Sequence, residues 1–114
     1  NNSISGEIPD FTECPKLRYL AMYNNSFTSY KEGAFKELSR IRYIDCSLNN
    51  LSQTSIDKIV DDLYDNYEAV PRGGVTINIK NNFGIGASLP TVPSEDQIDK
   101  INILKTKGWN FVYL

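Results

Sequence analysis

Two stretches decide how this chain is read: PDFTECPKLRYLAMYNNSF, residues 9–27, and GAFKELSRIRYIDCSLNNL, residues 33–51. A shift of 24 residues lays one over the other, so that Phe11, Glu13, Arg18, Tyr19 and Asn25 fall on Phe35, Glu37, Arg42, Tyr43 and Asn49. Apolar character continues where identity stops: Cys14 falls on Leu38, Leu17 on Ile41, Leu20 on Ile44, Met22 on Cys46 and Phe27 on Leu51. Self-similarity at a short fixed period marks a chain built by stacking equivalent units, none of which can bury its apolar side alone. Within each copy Leu20 and Met22, or Ile44 and Cys46, alternate with outward residues, which is the period of two that a strand requires.

The segments LRYLAMYNNSF and IRYIDCSLNNL resemble the LxxLxLxxNxL signature of leucine-rich repeat proteins. An incomplete copy opens the chain, with Asn2 and Ile4 in the last two signature positions and SGEIP in place of the turn that follows. A further copy, GVTINIKNNFG at residues 74–84, keeps Ile77, Ile79 and Asn82 but has Gly74 and Gly84 where the outer leucines belong. Asparagines follow one another at 23, 24 and then 33 residues. The resemblance implies an α/β leucine-rich repeat solenoid: a curved parallel β-sheet with convex-side helices and turns, and a C-terminal helix-strand cap. The division it implies is one domain, with a partial repeat over 1–16, repeats over 17–40, 41–73 and 74–108, and a closing strand over 109–114. It also implies a structural asparagine ladder of Asn2, Asn25, Asn49 and Asn82, whose amides satisfy turn groups that no strand pairs. The incomplete first repeat and the start at Asn1 suggest the C-terminal part of a longer chain.

The long third turn is filled by TSIDKIVDDLYDNY, where Ile56, Ile59, Val60, Leu63 and Tyr67 recur at helical spacing. This predicts an amphipathic helix over 55–67, with Thr54 or Ser55 as its N-cap. Ser94 and Gln97 form the pattern of a capping box, Glu95 and Asp96 suit a first turn, and Lys105 and Lys107 precede the stop at Gly108. The stripe Ile98, Ile101 and Leu104 is then the buried side of a second helix. Aligning Trp109 and Phe111 with Ile77 and Ile79 predicts a last parallel strand.

Composition narrows the chemistry. The chain has 114 residues, 40% hydrophobic and 23% charged, and its mean hydropathy is -0.38; it contains no apolar run long enough for a membrane-spanning helix. A net charge of -2 gives no electrostatic footprint for nucleic acid. Histidine is absent, which removes the commonest general base and zinc ligand. Cys14 and Cys46 both fall on apolar core positions and read as buried small hydrophobes, too far apart in role to bridge. The run Asp61, Asp62, Asp65 and Glu68 lacks calcium-loop spacing and reads as the solvated face of the helix. GIGAS, residues 84–88, has no following lysine and reads as a turn rather than a phosphate loop. N-x-S sequons at Asn1, Asn24 and Asn50 matter only in a secreted eukaryotic setting. No catalytic group, metal site or cofactor is expected.

What remains is the outward face of the sheet. In the repeat register it displays Tyr19, Ala21 and Tyr23, then Tyr43, Asp45 and Ser47, then Thr76, Asn78 and Lys80. Tyrosines among small polar groups make a binding surface, or else an aromatic ladder that only strengthens cross-strand packing. Leucine-rich repeat proteins are mostly recognition modules. The helix LSQTSIDKIVDDLYDN, the strand VTINIKNN and the ending KTKGWNFVYL are similar to repeat regions of bacteriophage tail and fibre proteins and of related bacterial surface proteins. The resemblance implies a non-enzymatic module of a virion or cell surface, with another protein (a virion component or host receptor) or a surface glycan as partner. The alternatives are a purely structural virion decoration or linker domain, or an ectodomain fragment of a eukaryotic leucine-rich repeat receptor. SGEIP also resembles plant receptor ectodomains, but the paired-cysteine cap of that family is missing.

Overall fold

The computed structural model describes residues 5–114, so the expected positions of Asn2 and Ile4 lie outside the described residues. The chain runs β1 (Ser5–Ile8), β2 (Tyr19–Ala21), β3 (Ser26–Tyr30), β4 (Tyr43–Asp45), α1 (Gln53–Ala69), β5 (Val75–Asn78), α2 (Glu95–Thr106) and β6 (Trp109–Val112). This is a mixed α/β architecture with parallel sheets. The strands form a four-stranded sheet in the order β2-β4-β5-β6 and a two-stranded sheet of β1 and β3, and every pairing is parallel.

Parallel neighbours need a crossover between them, and the sequence supplies α1 between β4 and β5 and α2 between β5 and β6. Register places Leu20, Ile44, Ile77 and Phe111 in one row. Ile44, Ile77 and Phe111 are buried, and half-exposed Leu20 packs against the same core. Alternate residues follow suit, so Met22, Cys46 and Ile79 are buried one step further along their strands. The helices close this side with Ile56, Ile59, Val60 and Leu63 from α1 and with Ile101 and Leu104 from α2. From the smaller sheet, Ile8, Phe27 and Tyr30 join the same cluster.

Several local expectations are corrected. Helix α1 starts earlier than residue 55, because Ser52 caps it: the Ser52 hydroxyl accepts the Ser55 N–H at 3.2 Å. At α2 the capping box does not form. Asp57 on α1 accepts the Ser94 N–H at 2.9 Å, which takes the donor that Gln97 would have used. The Gln97 side chain is buried instead, and Ile98 is only half-buried. Strand β6 is present and parallel, but Trp109 pairs with Val75 and Phe111 with Ile77, two residues away from the expected alignment. An even slip leaves every side chain on its own face, so the hydrophobic pattern cannot detect it. The β1–β3 sheet was not expected: SGEIP reads as a turn, and SFTSY carries no clear apolar alternation.

Cys14 is exposed, contrary to its expected core position, while Cys46 is buried. The backbone turn is nevertheless repeated. Cys14 N–H donates to Phe11 O and Leu17 N–H to Cys14 O, as Leu38 N–H donates to Phe35 O and Ile41 N–H to Leu38 O. The difference is cover: α1 lies over Leu38, whose carbonyl accepts from Asn66 at 2.9 Å, and no described layer lies over Cys14.

Candidate functional site

The outward face of the four-stranded sheet is set by the same register. Tyr19, Tyr43, Thr76 and Asn110 form one row, and Ala21, Asp45, Asn78 and Val112 the next. Past the strands, Asn24 N–H donates to Ser47 O and Leu48 N–H to Lys80 O. The pairing therefore continues and brings Tyr23, Ser47 and Lys80 alongside one another. All nine residues expected on this face are brought together there.

The tyrosines are its most prominent feature. Tyr19 and Tyr43 stack with ring centroids 4.6 Å apart and planes 14° from parallel, close to the spacing of adjacent strands. Tyr19 stays 65% exposed and Tyr23 50% exposed. The middle of the face is less open than expected, because Asp45 and Ser47 are buried. Tyr43 Oη donates to Asp45 Oδ2 at 2.9 Å, while Asp45 Oδ1 accepts the Ser47 N–H at 3.0 Å and the Ser47 hydroxyl at 2.6 Å. Tyr43 donates this bond only while protonated, so its hydroxyl is pushed up to about 12, with burial and the Asp45 charge adding to the hydrogen bond. On β5 the same turn recurs, Asn78 Oδ1 accepting the Lys80 N–H at 3.2 Å. A carboxylate or amide that binds its own backbone two residues on ends β4 and β5 in the same way.

The asparagines sit directly behind this face. Asn49 Nδ2 lies 3.0 Å from Met22 O and 3.1 Å from Cys46 O, and its Oδ1 accepts the Phe27 N–H at 3.2 Å. Asn82 repeats the arrangement, reaching Cys46 O at 3.1 Å and Ile79 O at 3.0 Å and accepting the Leu51 N–H at 3.1 Å. Each asparagine thus bonds its own turn and the preceding one. Asn25 donates to Met22 O at 3.0 Å; the counterpart of Phe27 and Leu51 for Asn25 is residue 4, outside the described residues.

Sequence reasoning missed a second polar centre. Asp62, expected on a solvated helix face, is buried. Its Oδ2 accepts the Tyr30 hydroxyl at 2.6 Å and the Gly33 N–H at 2.7 Å, and Tyr30 Oη in turn accepts the Phe35 N–H at 2.8 Å. Burial holds the Asp62 carboxyl above its ordinary value; the two hydrogen bonds oppose that shift, and the charges of Glu32 and Asp65 reinforce it. Burial and the Asp62 bond also push the Tyr30 hydroxyl far up. The signal was available in the spacing, since Ser55, Asp62 and Asn66 lie seven and four residues apart on one helical stripe beside Ile59. A hollow of about 640 Å³ adjoins this centre, lined by Lys36, Lys58 and Lys100 as well as by Glu32, Asp61 and Asp65.

The chemistry on offer is sparse. Burial raises the Cys46 thiol far above its ordinary range, which makes it a poor nucleophile. Among the described residues no group of three or more His, Cys, Asp or Glu side chains is placed to hold a metal ion, and no helix is long and apolar enough to cross a membrane. No protein-family model, curated protein or solved structure matches this chain.

Proposed function

We propose that this chain is a non-enzymatic recognition module of leucine-rich repeat type, carried by a phage virion appendage or a bacterial surface protein. It binds another protein or a surface glycan through the outward, concave face of its four-stranded sheet. The observation that carries this reading is the stack of exposed Tyr19 on half-buried Tyr43, set in a row that continues over Thr76 and Asn110. Aromatic rings held rigid by their neighbours give large contact area at little entropic cost. The repeated strand-to-asparagine turns support the solenoid, because equivalent residues make equivalent bonds at Asn49 and Asn82. The test is to replace Tyr19, Tyr43 and Asp45 together with alanine and titrate labelled protein onto whole bacterial cells and a glycan array. Binding is expected to disappear while the protein stays folded by circular dichroism; unchanged binding removes the concave-face claim.

A structural reading has one observation in its favour. The polar groups of Tyr43, Asp45 and Ser47 bond one another, so the face is largely satisfied without a ligand. On that reading the tyrosine row is a stabilising ladder in a virion decoration, and the triple variant loses stability but keeps its place in the assembly.

A further inference from the structure

The net charge of -2 conceals a separation of charge. Eight of the fourteen carboxylates lie on α1 and α2, whereas residues 16–24, 40–48, 72–80 and 107–113, which lead into and form the main sheet, hold seven basic residues against Asp45 alone. That carboxylate is already committed to Tyr43 and Ser47. Four of the cations gather where the strands begin. Arg18 O accepts the Arg42 and Tyr43 N–H groups at 2.8 and 3.2 Å, Arg42 Nη1 donates to Gly73 O at 2.8 Å, and a Cβ on Gly73 would lie 2.9 Å from Lys107 O. Arg72, next to Gly73, lies over the Trp109 ring at 5.5 Å and donates only to the carbonyls of Val70, Leu38 and Ile41. Arg18, Arg42 and Lys107 are exposed. Among the described residues the one ion pair is that of Lys100 with Asp61, so no carboxylate neutralises this rim. Burial, and after it the charge of Arg42, lowers the pKa of Arg72, as two nearby guanidinium groups without a carboxylate should.

A slot adjoins the rim. Tyr19 covers one face of the Tyr43 ring at 4.6 Å; on the other side the neighbours across the sheet are Thr76 and then Asn110, neither of which carries a ring to cover it. We propose, resting on the recognition face put forward above, that slot and rim bind an anionic glycan. A sugar ring lies on the open face of Tyr43 above Thr76, and its carboxylate, sulfate or phosphate group meets Arg42 and Lys107. Charge selects the occupant: an uncompensated cationic rim on a chain that is acidic elsewhere attracts and orients an anion. A guanidinium with donors to spare takes an oxyanion through paired, charge-assisted hydrogen bonds. Neutral hydroxyl and amide groups at Thr76, Asn78 and Asn110 suit a hydroxyl-rich partner, and they offer no apolar pocket of the kind that anchors a peptide. Nucleic acid, charged at every nucleotide, needs more cations than the rim holds on a chain that is acidic overall. Bulk placed at Thr76 fills the slot and excludes the ring, whatever charge it brings.

Biolayer interferometry tests it on immobilised alginate, dextran sulfate and phosphomannan, which carry the three anions, with neutral dextran, single-stranded DNA and polyglutamate alongside. The wild type is expected to bind at least one of the anionic glycans, to ignore neutral dextran and to lose affinity as salt rises. Arg42→Gln with Lys107→Gln is expected to weaken that binding at least roughly tenfold. Lys31→Gln with Lys58→Gln, which removes the same charge from the α1 side, is expected to weaken it far less. Lys107→Gln alone alters an exposed side chain that makes no hydrogen bond, so it reads the same loss in a protein whose fold is untouched. A wild type that binds none of the three glycans overturns the inference. So do equal losses from the two double variants, or tighter binding to DNA or polyglutamate than to any glycan. Whole cells separate the two claims. Binding that alanines at Tyr19, Tyr43 and Asp45 abolish, but that salt and the Arg42 and Lys107 changes leave intact, overturns the anionic class alone; binding that all of these leave intact removes the recognition face as well.

Discussion

Asn24, Leu48 and Asn81 hold one left-handed backbone conformation, with φ of 60°, 58° and 57°, each a residue ahead of Asn25, Asn49 and Asn82. Asparagine tolerates that region and leucine does not, because its Cβ crowds the following carbonyl. Leu48 is also 50% exposed, so little packing compensates. Leu48→Asn is therefore expected to stabilise the chain by about 1 kcal/mol, read as a higher urea midpoint at unchanged slope. The residue behind it works in the opposite direction. Asn49→Ala takes the side-chain acceptor from the buried Phe27 N–H and one of the two amide donors from Cys46 O and is expected to cost about 1–3 kcal/mol in the same measurement. These asparagines were legible in the sequence because the turn that needs them recurs at nearly fixed spacing. The fate of Cys14 was not, because a repeat fixes the backbone path while burial depends on the layer beyond it.

At the scale of elements, the apolar stripe of α1 was readable from spacing, whereas its polar anchors were not. Asp62 joins α1 to the turn after β3 through Tyr30 and Gly33, a contact some thirty residues distant that no local pattern announces. Since its carboxyl is held above 3.8 in the fold, the folded state takes up this proton more readily than the unfolded chain. Its contribution to stability is then full below 3.8 and is lost as the pH rises through the raised native value. Asp62→Asn keeps an oxygen acceptor and cannot ionise. The difference in unfolding free energy between the two proteins is expected to shift in favour of the variant across that window and to stay level above it; a difference independent of pH contradicts the assignment. The start of β6 depends on backbone proximity. A Cβ on Gly73 would lie 2.9 Å from Lys107 O, and one on Gly108 3.2 Å from the Gly73 Cα. Gly73→Ala is expected to destabilise by about 1–3 kcal/mol, seen as a lowered thermal midpoint, because backbone would have to move on both sides. The capping box at Ser94 failed for a related reason: Asp57, on another element, reached its N–H first.

For the whole molecule, parallel pairing over β2, β4, β5 and β6 puts one face of the sheet against the helices and leaves the other bearing the tyrosine row. That division was legible, because alternation assigns residues to faces without knowledge of the partner strand. The closing of Asp45 and Ser47 onto Tyr43 was not, since it depends on side-chain geometry within one strand. The recognition claim can be separated from the stabilising ladder at Thr76, a half-buried position on the outward row between Tyr43 and Asn110. Thr76 takes part in neither the tyrosine stack nor the Asp45 bonds, so Thr76→Arg obstructs the face and leaves both in place. The most direct measurement is the affinity of this variant for the cells or glycans that the wild type binds, taken beside its thermal midpoint. A recognition face predicts affinity weakened at least roughly tenfold at an unchanged midpoint; unchanged affinity would contradict it.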